Sequence, residues 1–460
     1  MRSFNESHEI MNKPICILTP TCTLGYGFDP EALARGMSLR PDVIAVDAGS
    51  TDPGPHYLGS GEPLVSRFGI KRELTQLIKA ACAAKIPLIV GSTGGAGTRR
   101  HVDDVAEIAR EVGRENGLTF KLAKIYSDIP SEVVAAAVRK GEVADFEAGV
   151  ALSEEVALAS ETIVAQMGHE PIVEALEQGA QVIIAGRACD DSVIAAFPIW
   201  KGADPGLAIH MGKILECGAF SAEPHGTDVM MAFVDDHGFT LEPGSVNRRA
   251  SLTSVAAHTL YERENPFLQA GPGHQLDLSE CAFEQINERQ VRVTGSRFSA
   301  TPDYWVKLEG ARCVGYRSIS IAGVRCPTMI SRIDQLLEDA KRNALAYFAR
   351  PSLKIHFHLY GCNGVMGALE PVKGNVPHEL GLIIDVVDSE QQDAHAAAHF
   401  ISGSLLHVSW NGQFNTAGNL AFPYSPSELD AGPVYEFSAY HLMKVASATA
   451  HFPVQIEVVA

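Results

Sequence analysis

What the sequence has little of narrows its class before any motif is examined. Basic residues are scarce: 37 lysines and arginines stand against 55 aspartates and glutamates, a formal net charge of −18. Binding a nucleic-acid backbone requires clustered cations that release counterions, so that partner is not expected. The same balance disfavours docking on anionic lipid. Long apolar runs are absent, and a membrane-spanning helix would need about 18 to 20 such residues in succession. The nine cysteines are odd in number and include no Cys-x-x-Cys spacing. A disulfide framework or zinc ribbon is therefore not indicated. Several of them lie in apolar or Gly-containing runs and read instead as small buried hydrophobes in a reducing compartment. The opening MRSFNESHEIMNK lacks the apolar core of a signal peptide. A cytoplasmic protein with residues 1–13 as a loose tail is expected. Neither a GxSxG elbow nor an HExxH motif occurs, which weakens the usual serine-hydrolase and zincin alternatives.

What is present is a chain of 460 residues, 46% hydrophobic and 20% charged. That length can bury a large core without disulfides or structural metals, in two or three domains. Short apolar runs at Ile15–Leu18, Val43–Asp47, Pro87–Gly91, Phe120–Ile125 and Gln181–Gly186 alternate with helical patterns. Apolar strands separated by amphipathic helices predict an α/β fold with a parallel, Rossmann-like sheet in the N-terminal half. Residues 14–350 are assigned to this domain, with an irregular insertion at about 205–345. Pro351 breaks a helix predicted over 329–347. A smaller α+β domain is expected over 351–460, with strands at 353–360 and 382–386 and a helix over 391–406.

In a parallel α/β sheet the ligand crevice lies beyond the carboxyl ends of the strands. Three predicted strand ends carry chemistry. The first is Asp47-Ala-Gly-Ser-Thr-Asp-Pro-Gly-Pro55, where Asp47 and Asp52 are candidate proton carriers and Ser50 and Thr51 offer hydroxyls. The second is Gly91-Ser-Thr-Gly-Gly-Ala-Gly97. Its Gly94, Gly95 and Gly97 could form a nest of N–H groups for a phosphate or carboxylate, or serve as plain tight-turn glycines. The third is Gly186-Arg-Ala-Cys-Asp-Asp191. Arg187 could clamp a carboxylate bidentately, and Asp190 or Asp191 could act as acid or base, or as helix N-caps. His225, in a Pro/Gly loop, is a candidate acid–base partner. Cys217 is a weak nucleophile candidate, since the adjacent Glu216 would raise its pKa. His356 and His358 alternate on one strand and leave room for a divalent metal ion, although no third ligand is evident. No cofactor is otherwise indicated.

Taken together, these segments resemble the acyclic terpene utilisation A family. The resemblance rests on Ala48–Pro55, Ala185–Asp191, Leu215-Glu-Cys-Gly-Ala219 and Ser254–Tyr261. It continues through Tyr360-Gly-Cys-Asn-Gly-Val-Met-Gly367, Phe422–Leu429 and Gly432–Phe437. It implies bacterial catabolism of carboxylic acids or acyl-CoA esters, and either a homo-oligomer or a hetero-oligomer with a small companion protein. Asn363, within one of these segments, is a candidate ligand-binding residue. The first expectation is a cofactor-independent lyase or hydratase acting on a small carboxylate or its CoA ester. Asp47 or Asp52 would then act as base, His225 as acid, and Arg187 with the glycine nest as the anion site. An acyl-ester or thioester hydrolase and a non-catalytic ligand-binding or assembly subunit are the alternatives.

Overall fold

The computed structural model describes residues 13–147, 149–261, 265–372, 374, 376–411, 413 and 418–460. Of the expected N-terminal tail only Lys13 lies among them. The chain divides into two compact units, one comprising Met1–Arg312 with Phe437–Ala460 and the other Cys313–Glu436.

In the first unit the apolar runs form the strands Ile15–Thr19, Val43–Asp47, Leu88–Gly91, Phe120–Ile125 and Val182–Ala185. These pair in parallel, with Val182–Ala185 lying between Leu88–Gly91 and Phe120–Ile125. Strands covered on both faces need apolar residues in both registers, which explains continuous runs rather than alternation. Ile44, Val46, Leu88 and Val90 pack beneath the helices Arg67–Ala84 and Arg99–Asn116. Ile17, Val43, Ala45 and Ile89 pack on the opposite face against Asp190–Trp200 and Pro205–Leu215.

The sheet as a whole is mixed. Met230–Asp235 pairs antiparallel with Ile15–Thr19, and Gly238–Pro243 and two further strands extend that edge. At the other edge Val454–Val459 pairs antiparallel with Phe120–Ile125. Two corrections follow. Residues 205–345 are not an irregular insertion, because they supply four strands of the main sheet. The expected break near 350 also differs from the observed division. The last strand of the chain closes the first sheet, and the strand after Pro351 belongs with residues that precede it.

Tyr304–Val324 is one strand of 21 residues. Its early part, Leu308–Ala311, pairs with Thr162–Ala165 in the first unit. Its later part belongs to the second unit, where Tyr316–Val324 pairs with Leu380–Asp388 and that strand with Lys354–Tyr360. The helices Ile333–Phe348 and Gln391–Leu406 cover this antiparallel sheet through Leu337, Ala344, Ala397 and Ile401. No helix among the described residues is long and apolar enough to cross a membrane.

Candidate functional site

The three predicted strand-end loops meet at the carboxyl edge of the parallel strands. Glycine makes their contact possible. A Cβ on Gly49 would stand 2.1 Å from Gly95 Cα, and one on Gly97 would stand 2.1 Å from the Arg187 nitrogen. Residues 91–98 are buried throughout. Gly95 N–H donates to Ser92 O at 3.2 Å and Gly97 N–H to Thr93 O at 3.1 Å. The expected anion nest at Gly94, Gly95 and Gly97 is thus not formed. Two of its N–H groups are used inside the turn, and the glycines serve close packing.

Arg187, 3% exposed, organises one end of the site. Its Nε donates to Glu309 Oε2 at 2.8 Å and its Nη2 to Glu309 Oε1 at 3.3 Å. Nη1 donates to Asp190 Oδ1 at 3.0 Å, Ser92 Oγ at 3.1 Å and the Ala188 carbonyl at 3.2 Å. Ser92 reaches this position from a left-handed backbone, φ 45°, a conformation that costs free energy outside glycine. The expected bidentate clamp exists, but its carboxylate is the protein's own Glu309. Lys307 Nζ lies 3.1 Å from the same carboxylate. These two cations, with Arg187 the larger influence, hold the fully buried Glu309 down to about 2 against the opposing effect of burial.

The second end is built on the helix Pro205–Leu215. Lys213 Nζ donates to Glu216 Oε1 at 2.7 Å and lies 4.1 Å from the centre of the Tyr261 ring. The Tyr261 hydroxyl stands 2.7 Å from Cys217 Sγ. Burial lifts Glu216 to about 8, with Asp190 and Asp191 adding to the rise and Lys213 opposing it. Asp190 and Asp191 open the helix Asp190–Trp200 as its first two residues; Cys189 is the N-cap. They complement the helix dipole rather than capping it through their side chains. Asp190 is raised by burial, with Arg187 lowering it and Asp191 raising it. Asp47 is raised by burial first and then by Asp190, opposed by Arg187. Its Oδ2 accepts from Gly49 N–H at 3.3 Å.

These groups border a cavity of about 520 Å3. Arg187, Asp190, Asp191, Lys213 and Glu216 form a polar wall, and Phe146, Trp305, Tyr440 and Leu442 an apolar one. Of the residues expected from the sequence, Ser50, Asp52, Asp191 and Arg187 line the cavity. Asp47 lies buried next to them without reaching its wall, and Thr51 is buried with its carbonyl accepting from Gly54. His225 is exposed, its Nδ1 2.8 Å from the Phe220 carbonyl, and the structure does not bring it to this cavity. Asn363 belongs to the second unit, in the turn after Lys354–Tyr360, where its carbonyl accepts from Gly367. His356 and His358 share a strand face there, and His358 Nε2 lies 3.6 Å from Asp385 Oδ2. Among the described residues no group of three or more His, Cys, Asp or Glu side chains is arranged to hold a metal ion.

Sequence reasoning missed Lys213, Lys307, Glu309 and Tyr440. Lys213 had a detectable signal, since a lysine in an otherwise apolar, Gly-containing helix is rarely buried without a partner. Glu309 had none, because it is 122 residues from Arg187.

Fold and site thus define a mixed α/β protein with an acid-rich cavity at the strand ends. The family model described as acyclic terpene utilisation family protein AtuA matches residues 69–420. The chain therefore belongs to that family, which implies a role in acyclic terpene catabolism. No curated protein and no solved structure matches the chain.

Proposed function

We propose that the protein is an enzyme of organic-acid or acyl-CoA catabolism, a lyase or hydratase that moves protons with its own carboxyl groups. The observation that carries this is Glu216, which lines the cavity with a pKa near 8 and has Lys213 at 2.7 Å. A general acid or base works best when its pKa lies near the working pH. Ionised Glu216 would take a proton from the carbon next to the substrate carbonyl. A second cavity carboxyl, Asp190, whose pKa burial raises, would give its proton to a departing hydroxyl, so that a C–H and a C–OH bond become C=C and water. This moves the base from the expected Asp47 or Asp52 to Glu216 and replaces His225 as the acid.

The apolar wall supports a branched hydrocarbon chain, in keeping with the family's name. Because Arg187 is held by Glu309 and Asp190, a CoA ester or other neutral acyl group suits the polar wall better than a free carboxylate. Hydrolysis through Cys217 has less support, since its thiol lies against Tyr261 and beside a carboxylate.

The test is exchange of substrate α-hydrogens in deuterated water, followed by NMR over a panel of branched 3-hydroxyacyl and 2-enoyl CoA esters and their free acids. Exchange that disappears in Glu216→Gln supports the proposal, and undiminished exchange in that variant removes the assigned base. The panel should be run with and without the small companion protein that the family resemblance implies. Turnover only in its presence would make this chain one half of a two-chain enzyme.

A further inference from the structure

The cavity carries one polar pair that the proton transfer described above does not use. Lys307 Nζ donates to the Tyr440 hydroxyl at 2.8 Å, and both residues line the cavity. An ammonium has only hydrogens to give, so the phenol oxygen is the acceptor in this bond. Its own O–H hydrogen meets no acceptor among the described residues.

The strands fix this pair in place. Trp305, Lys307 and Glu309 alternate along Tyr304–Val324 and so share one face. The Lys307 side chain is 16% exposed, and its Nζ lies between the Glu309 carboxylate, 3.1 Å away, and the phenol. Tyr440 and Leu442 alternate on the strand Glu428–Val445, where Leu442 pairs with Ala144. The Phe146 ring then stands against the Tyr440 ring, with 5.6 Å between their centres. Charge points the same way. Arg187 and Lys307 share the Glu309 carboxylate, so two cations meet one anion. A phenol that accepts from an ammonium is polarised to donate its own hydrogen more strongly.

We infer that the Tyr440 O–H binds the carbonyl oxygen of an acyl thioester and, with Lys307 as its positioning residue, holds the negative charge that oxygen acquires. The inference rests on the proton-transfer reading of the same cavity. When Glu216 takes the α-hydrogen as a proton, the C–H electron pair forms a C=C bond to the carbonyl carbon. The C=O pair moves onto oxygen, beside the Tyr440 hydroxyl. The C=O bond then re-forms as the β-hydroxyl departs with its electron pair and leaves as water with the Asp190 proton. A donor already in place at such an oxyanion lowers the barrier, because nothing has to reorganise as charge develops. A free carboxylate would have to gather a second negative charge in this step, so the thioester is the favoured substrate class.

The experiment is difference infrared spectroscopy of 3-methylbut-2-enoyl CoA, labelled with carbon-13 at its carbonyl, on the full chain and on Glu216→Gln. In both, binding should move the carbonyl stretch to lower frequency. The shift should vanish in Tyr440→Phe and shrink in Lys307→Met. Exchange of substrate α-hydrogens should fall about a hundredfold in Tyr440→Phe, with KM changed much less. An unshifted carbonyl in the unaltered protein, or an undiminished shift in Tyr440→Phe, overturns the inference, and an undiminished shift in Lys307→Met overturns the role of Lys307. If Tyr440→Phe does not fold, a monofluorinated tyrosine at position 440, whose O–H is the stronger donor, should enlarge the shift, and an unchanged shift overturns the inference. The two readings separate cleanly. A Tyr440-dependent shift in a protein that shows no exchange keeps this inference and overturns the proton transfer, whereas exchange with a Tyr440-independent shift does the reverse.

Discussion

Each end of the cavity's polar wall is tied to a buried glutamate, Glu309 through Arg187 and Glu216 directly, and the two behave in opposite ways. Glu309 meets a bidentate guanidinium and a lysine, and its pKa falls to about 2. Glu216 meets one lysine and faces two aspartates, and its pKa rises to about 8. Burial pushes both upward, so burial does not decide the outcome. The count and geometry of the partners do. The Arg187 end is thereby a permanently charged scaffold, while the Lys213 end can exchange a proton near neutral pH.

The largest effect should come from breaking the scaffold. Glu309→Ala leaves Arg187 buried with one of its two carboxylate partners gone, and about 3–5 kcal/mol of stability should be lost, read from urea midpoints. The same measurement on Glu216→Gln should show a far smaller change, because that group is readily neutral already. Equal losses in the two variants would dissolve the contrast. On an identified substrate the ranking should reverse. Glu216→Gln should lower turnover by about a hundredfold or more, through loss of general acid–base catalysis.

The pH dependence sharpens the comparison further. A carboxyl raised on folding from 4.5 to about 8 contributes stability that is complete below 4.5 and lost as pH rises through about 8. Glu309, lowered on folding, contributes stability present above 4.5 and lost as pH falls through about 2. Denaturation profiles should therefore show a decline from pH 4.5 to 8 that flattens in Glu216→Gln while the acid limb stays. The smallest effect belongs to the exposed pair Arg67–Glu111, where Arg67 is 51% exposed. Arg67→Ala should cost less than about 1 kcal/mol, and a larger loss would show that partner geometry matters at the surface as it does at the cavity.

Much of the site's address was legible in the chain. Asp47 and Arg187 follow apolar runs, and the rule that ligands gather at parallel strand ends placed both correctly on one edge. The glycines of the 91–97 turn were also visible, but their use was not. Backbone N–H groups bind an anion or pack a turn with the same residues, and only the approach of Gly49 and Arg187 chose between them. His225 had suitable chemistry and a loop position, but a histidine's role depends on what stands opposite, and opposite it is a backbone carbonyl. The long strand Tyr304–Val324 was missed because polar residues and glycines interrupt its apolar pattern.

By itself the sequence determined the parallel strands of the first sheet, the loops at their ends and the family to which the chain belongs. Those follow from local periodicity, turn chemistry and motif order, which act over a few residues at a time. The tertiary structure alone decided which carboxyl stays charged and which can carry a proton. That choice depends on Glu309 meeting Arg187 across 122 residues and on Lys213 turning toward Glu216 where both are buried. Electrostatic energies in such a space are set by distances of a few ångströms, and no local pattern in the chain encodes them.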